Sequence, residues 1–198
     1  GCTEQIVSKT MPEIVLGANQ PLVREHVART VATLRTRQTQ DGGFGLYSPG
    51  GEAPDFPTVY AGHFLVEAKA RGYAVPPDLL KAANTWLARY AASKGASLWD
   101  ERNRAYAIYL LTLQETQTAS LVSAITDRLN ANKETKGWQS DLTAAYLAAS
   151  LKLLKDEAGA DKMIAQVGLA QKDWFRGYSY YDGMVRDAVL LDLTARHF

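Results

Sequence analysis

The stretch Asp141-Leu142-Thr143-Ala144-Ala145-Tyr146-Leu147-Ala148 decides the fold. It is rich in small residues and apolar around much of a helical circumference, so it reads as a helix buried on several sides. It also recurs. Thr58-Val59-Tyr60-Ala61-Gly62-His63-Phe64-Leu65, Arg104-Ala105-Tyr106-Ala107-Ile108-Tyr109-Leu110-Leu111 and Arg186-Asp187-Ala188-Val189-Leu190-Leu191 are variants of the same element, about 40 residues apart. Between them lie amphipathic segments such as 79–90 and 121–129, which leave Lys81, Arg89, Asp127 and Arg128 for water. The repeating unit is an inner, buried helix followed by an outer, half-exposed one. A stack of such pairs is either an open solenoid or a closed α/α barrel. The small residues of the inner helices favour closure, because helices converging on one axis need close approach.

Apolar spacing of this kind runs through most of the chain, and no stretch alternates with period two between turn pairs, so an all-α fold is predicted. The predicted helices are 4–16, 21–38, 57–71, 77–93, 101–115, 118–131, 140–155, 159–169 and 183–197. Breakers separate them: Asn19-Gln20-Pro21, Asp41-Gly42-Gly43-Phe44-Gly45 with Ser48-Pro49-Gly50-Gly51, Pro76-Pro77-Asp78, Lys94-Gly95 and Lys136-Gly137. A barrel of six pairs needs about twelve helices. Either short helices escape this pattern, or residues 1–198 are one piece of a larger multidomain protein, as the abrupt start at Gly1 also suggests.

Composition narrows the function. The 198 residues carry 22 Lys and Arg against 21 Asp and Glu, without a run of like charge or aromatics interleaved with basic clusters, so nucleic acid is not an expected partner. No apolar run is long enough to span a bilayer, and no signal sequence follows Gly1. The single cysteine rules out an internal disulfide and any multi-thiolate metal site.

That cysteine stands in Gly1-Cys2-Thr3-Glu4-Gln5. Cys2 and Gln5 are three residues apart, a spacing that the first turn of a helix brings onto one side. A thiolate held there can displace ammonia from the Gln5 carboxamide and leave an intramolecular thioester, an acyl group far more electrophilic than the amide it replaces. Fixing the two groups together supplies much of what an intermolecular reaction lacks. The plainer alternative is a terminal cysteine beside an ordinary helix start.

The Cys2-Thr3-Glu4-Gln5 motif at the entrance to a helical repeat resembles the thioester domain of the α2-macroglobulin and complement family, whose signature is Cys-x-Glu-Gln entering an α/α toroid. The resemblance covers essentially the whole chain. It includes Gln40-Asp41-Gly42-Gly43-Phe44-Gly45, a turn that also recurs in terpenoid-cyclase-like α/α toroids, the helix start Phe56-Pro57-Thr58-Val59-Tyr60-Ala61, and Arg71-Gly72-Tyr73-Ala74-Val75-Pro76. The last phrase, with Gly1, is closer to the bacterial branch. What the resemblance implies is an α/α toroid, a covalent protease trap and not an enzyme, with no cofactor. Cys2 would be the thiol leaving group and Gln5 the acyl donor to lysine amines of an attacking protease, with Thr3 and Glu4 as supporting motif positions. Tyr178, Tyr180, Tyr181 and Trp99 would be local cover for the thioester, against the plainer reading of core packing. Partners would be target proteases and other domains of the same protein. The location would be the periplasm, with a lipid anchor outside this chain. Hydroxyl-preferring complement relatives use a histidine in the loop before one inner helix. The matching stretch, Ser97-Leu98-Trp99-Asp100-Glu101-Arg102-Asn103-Arg104, has none, so direct aminolysis with poor hydroxyl transfer is expected.

Other chemistry-bearing residues are weaker candidates. His26, His63 and His197 lie apart, without ligand spacing, so no metal site is expected; His63 reads as a hydrogen-bonded core histidine. Asp55, Asp141, Asp182 and Asp187 stand near the starts of inner helices. Such ends can ring the cavity of a carbohydrate-active toroid, but helix capping is the simpler account. A toroid without a working thioester, serving as a binding scaffold, also remains open.

Overall fold

The computed structural model describes residues 1–17, 20–170 and 183–198. The architecture is all-α: among the described residues there is one isolated antiparallel bridge, Gln38 to Phe44, and no strand. The helices are α1 (Thr3–Leu16), α2 (Pro21–Arg37), α3 (Asp55–Ala70), α4 (Pro77–Ala92), α5 (Leu98–Leu113), α6 (Ala119–Ala131), α7 (Leu142–Leu153), α8 (Glu157–Ile164) and α9 (Gly183–His197), with short 3-10 turns at Lys133–Thr135 and Trp138–Ser140. None of the described helices is long and apolar enough to cross a membrane.

The chain divides into two compact units, Gly1–Tyr90 and Ala91–Phe198. In the first, α3 is the buried helix. Val59, Ala61, Phe64, Leu65 and Ala68 are fully inaccessible, and α1, α2 and α4 each contribute a stripe to the same core. The α1 stripe is Thr3, Val7, Thr10 and Ile14, spaced four, three and four residues apart as one helix face requires. Gly62 lets Leu87 of α4 approach α3 closely. Each fully buried aliphatic or aromatic side chain contributes about 1.5–3 kcal/mol relative to exposure.

In the second unit, α5 is buried from Glu101 to Thr112 and α7 from Leu142 to Ser150, without an exposed face between those limits. Small residues permit this: Ala105 and Ala107 on α5 and Ala144, Ala145, Ala148 and Ala149 on α7 are all inaccessible, and the Tyr106 and Tyr146 rings stack at 4.7 Å. The amphipathic α6 buries only Val122, Ile125 and Leu129.

Two sequence expectations need correction. The stretch Ser97–Arg104, taken as a loop before an inner helix, is the N-cap and first turns of α5. Ser97 and Asp100 form a capping box, the Ser97 Oγ accepting from the Asp100 N–H at 3.2 Å and Asp100 Oδ2 from the Ser97 N–H at 2.9 Å. The fourth repeat copy also differs from the other three. α9 packs on α7 and buries Arg186, Leu190 and Leu193, while Leu191 is half exposed, so it is one-sided where α3, α5 and α7 are covered all round.

Candidate functional site at the start of the first helix

Cys2 is the N-cap of α1, with extended backbone (φ −71°, ψ 169°), and Gln5 is its third helical residue. The two form a capping-box arrangement in which the Cys2 sulfur takes the place of a serine oxygen and the Gln5 side chain folds back. The Cys2 backbone N–H donates to Gln5 Oε1 at 3.1 Å. Cys2 is half-buried and Gln5 exposed. The sulfur thus faces the Gln5 backbone N–H and the carboxamide the Cys2 backbone N–H, both within one turn.

Thr3 fixes this turn to the rest of the unit. It is fully buried; its N–H donates to the Leu46 carbonyl at 2.9 Å and its hydroxyl to the Gly45 carbonyl at 2.6 Å. Those two carbonyls belong to the glycine-rich turn, so the two motifs are in direct contact across more than 40 positions. The turn has its own supports. The Thr39 N–H donates to the Gly43 carbonyl at 2.9 Å, and the Gly45 N–H to the Arg37 carbonyl at 3.0 Å. Phe44 is buried completely, its N–H donating to the Thr58 hydroxyl at 3.2 Å. The Gln38 side chain donates to the carbonyls of Gly42 and Leu79. Glycine is required at two positions here: Gly42 has φ +93° and a Cβ would strike the Ala82 carbonyl, while at Gly45 it would strike the Ser48 carbonyl.

Arg37, at the last position of α2, was not visible in the sequence as a site residue. Its guanidinium donates to the Gly1 carbonyl at 3.0 Å, the Leu46 carbonyl at 2.7 Å and the Thr3 hydroxyl at 3.3 Å. The same neighbourhood holds Tyr60 of α3. Burial holds its phenol above the ordinary value, the charge of Glu4 adds to this, and a hydrogen bond with Ser8 opposes it. Phe56 stacks on Tyr60 at 5.7 Å. Tyr60 therefore lies on the Glu4 and Ser8 side of α1.

Tyr178, Tyr180 and Tyr181 lie outside the described residues. Trp99 belongs to the second unit, on α5, with its ring 5.6 Å from the Arg102 guanidinium.

Asp141 caps α7 by accepting from the Thr143 N–H at 2.8 Å, and pairs with the fully buried Arg102, whose Nε donates at 2.9 Å. Asp187 pairs with Arg186 and accepts from the Ala170 N–H at 2.9 Å. Asp55 is in the first turn of α3. Asp182 lies outside the described residues. His26 pairs with Glu13 at 2.8 Å, His63 lies half-buried 3.5 Å from Glu67, and His197 Nε2 meets the Tyr109 hydroxyl at 2.9 Å. Among the described residues no three His, Cys, Asp or Glu side chains converge as metal ligands would.

An all-helical repeat of buried and amphipathic helices, opening on a cysteine that caps a helix over a glutamine three residues on, defines a class of domain rather than a protein. No protein-family model matches the chain. Individual relatives do. An α2-macroglobulin homologue of Yersinia pestis is 36% identical over 208 residues, covering 99% of this chain and 10% of the relative. The α2-macroglobulin of Rickettsia conorii is 35% identical over 210 residues, covering 100% of this chain and 11% of the relative. Among solved structures, trypsin-activated α2-macroglobulin from Escherichia coli matches with a TM-score of 0.81 over 99% of this chain and 14% of that one, at 24% identity. Salmonella α2-macroglobulin reacted with methylamine matches at 0.79 over 98% of this chain and 14% of that one, at 22% identity. At those identities the structures speak for the fold. The chain belongs to the bacterial α2-macroglobulin family, and spans about a tenth of the length of the curated relatives it matches.

Proposed function

We propose that this segment is the thioester-bearing domain, an α/α toroid, of a protein that traps attacking proteases covalently. The observation that carries the reading is the meeting of Cys2 and Gln5 in the first turn of α1, within a chain of this family. In closure, the Cys2 sulfur attacks Gln5 Cδ, an S–C bond forms, the C–N bond breaks, and the thiol proton leaves with ammonia. In capture, a lysine amine of the protease attacks the same carbon, an amide forms, and the sulfur departs as the Cys2 thiol. The solved relatives activated by trypsin and by porcine elastase support proteases as the triggering partners. Water must be kept from the acyl group until then. Other domains of the full-length protein are the cover we assign, with Tyr60, beside Glu4 and Ser8 on α1, as the contribution of the same unit. The absence of a histidine from Ser97–Arg104 favours amines over hydroxyls. The compartment we assign is the periplasm, with attachment by a lipid outside this segment.

Intact mass of the full-length protein tests the reading. A closed thioester makes it lighter by one ammonia, and methylamine adds its own mass while releasing a titratable thiol at Cys2. Neither change in a folded full-length protein would leave a helical scaffold without thioester chemistry.

A further inference from the structure

One chain of hydrogen bonds passes through the reacting group. The Arg37 guanidinium donates to the Gly1 carbonyl at 3.0 Å, and the N–H of that same peptide unit, belonging to Cys2, donates to Gln5 Oε1 at 3.1 Å. We propose that the Gly1–Cys2 peptide is the oxyanion donor for the Gln5 acyl carbon, and that Arg37 is the positioning residue that orients and polarises it. The inference rests on the trap reading and deepens it.

The chemistry asks for a donor at this place. When sulfur attacks Gln5 Cδ, and again when an amine does, the Cδ–Oε1 bond loses its double-bond character and negative charge gathers on Oε1. A backbone N–H already aimed at that atom stabilises both tetrahedral states without reorganising. Oε1 stays on the carbon throughout, because the leaving groups are Nε2 in closure and Sγ in capture, so one donor serves both directions.

Arg37 acts on that donor twice. A cation at the carbonyl end of a peptide draws charge from the N–H end and strengthens its donation. Geometry adds to this. Arg37 also holds the Leu46 carbonyl at 2.7 Å, and Leu46 in turn accepts from the Thr3 N–H at 2.9 Å. Cys2 is therefore pinned on both sides, through Gly1 by the guanidinium and through Thr3 by the glycine turn, which fixes the direction of its N–H. Gly1 leaves room for this, since Gln5 Oε1 lies 3.0 Å from where a Cβ would stand.

The test uses the full-length protein with Arg37→Ala, Arg37→Gln and, as control, Arg35→Ala, two residues away on α2, whose guanidinium sits on Asp78 of α4. Two quantities are read: the second-order rate constant for thiol release by methylamine, and the infrared stretch of the thioester carbonyl with 13C at Gln5 Cδ. Removing an oxyanion donor outright costs about 10²–10³ in rate, and weakening one that remains should cost about tenfold. The expected result is a roughly tenfold slower release in Arg37→Ala, a smaller loss in Arg37→Gln, a carbonyl band moved to higher frequency in both, and no change in Arg35→Ala. A merely structural role would lower the unfolding midpoint and leave the band in place, which overturns the inference. A wild-type protein that closes and opens, with Arg37 variants matching it in rate and band, overturns it too and leaves the trap reading standing. A folded wild type with no releasable thiol removes the trap reading and this inference together.

Discussion

Arg102 lies fully buried with its guanidinium on the carboxylate of Asp141, the residue that caps α7. The pair ties the first turns of α5 to the start of α7, the two helices of the second unit that are covered on every side. Charges this far from water hold only while both partners are present.

Asp141→Ala should therefore destabilise the protein by about 3–5 kcal/mol, because it strands a buried guanidinium and removes an N-cap at once. Denaturant unfolding measures the loss. Thiol release by methylamine in the folded fraction should be unchanged, which separates this structural aspartate from the Cys2–Gln5 chemistry; a glycan-cleaving activity abolished by Asp141→Asn and untouched by Cys2→Ala would point to a carbohydrate-active toroid instead.

Gly45→Ala places a methyl group on the Ser48 carbonyl and must displace the turn that holds Thr3. The expected outcome is a full-length protein that retains its helical circular dichroism but shows a free, titratable Cys2 thiol before any amine is added. A masked thiol with wild-type kinetics would contradict the contact between the two motifs.

The carboxyl of Asp41, at the head of the same turn, is held below its ordinary value chiefly by the Thr39 hydroxyl, against the cost of burial, with lesser help from the Gly43 N–H and the Arg89 guanidinium. A group with a lowered native value contributes stability that is present above the ordinary carboxylate range and lost as pH falls through the lowered value. Acidification below about pH 4 should lower the unfolding midpoint, and Asp41→Asn should lower it at neutral pH while flattening the acid part of the profile. A wild-type slope retained in the variant would place the titrating group elsewhere.

Acceptor preference is measured by competition. On the trap reading, full-length protein activated by protease in the presence of equal methylamine and glycerol should carry the amine almost exclusively, the preference that the family resemblance implies for a chain without a histidine in residues 97–104. Comparable ester formation would show that another residue supplies that assistance.

Much of this was legible beforehand, and the limits have physical causes. Helix positions followed from apolar spacing because α3, α5 and α7 owe their burial to small residues that sequence displays directly. The beginning of α5 is not evident although Ser97-Leu98-Trp99-Asp100 carries a capping-box pattern, since the charged run that follows looks like a solvated loop until Arg102 is seen paired with Asp141 and Glu101 with Arg128. Cys2 and Gln5 were visible as a pair because three residues is a local distance. Arg37 was not, because it acts on the carbonyls of Gly1 and Leu46, and a backbone acceptor leaves no mark in residue type. Tyr60, which the trap reading uses as cover, is hidden for a related reason: it sits within a buried repeat, where an aromatic reads as core.

The carbonyls of Gly45 and Leu46 carry a further implication for protein engineering. A four-residue graft of Cys2–Gln5 onto the start of some other helix would import the nucleophile and the carboxamide, yet arrive without the socket into which Thr3 plugs. On the trap reading, the smallest portable version is a split one, two segments more than forty residues apart that have to be moved together.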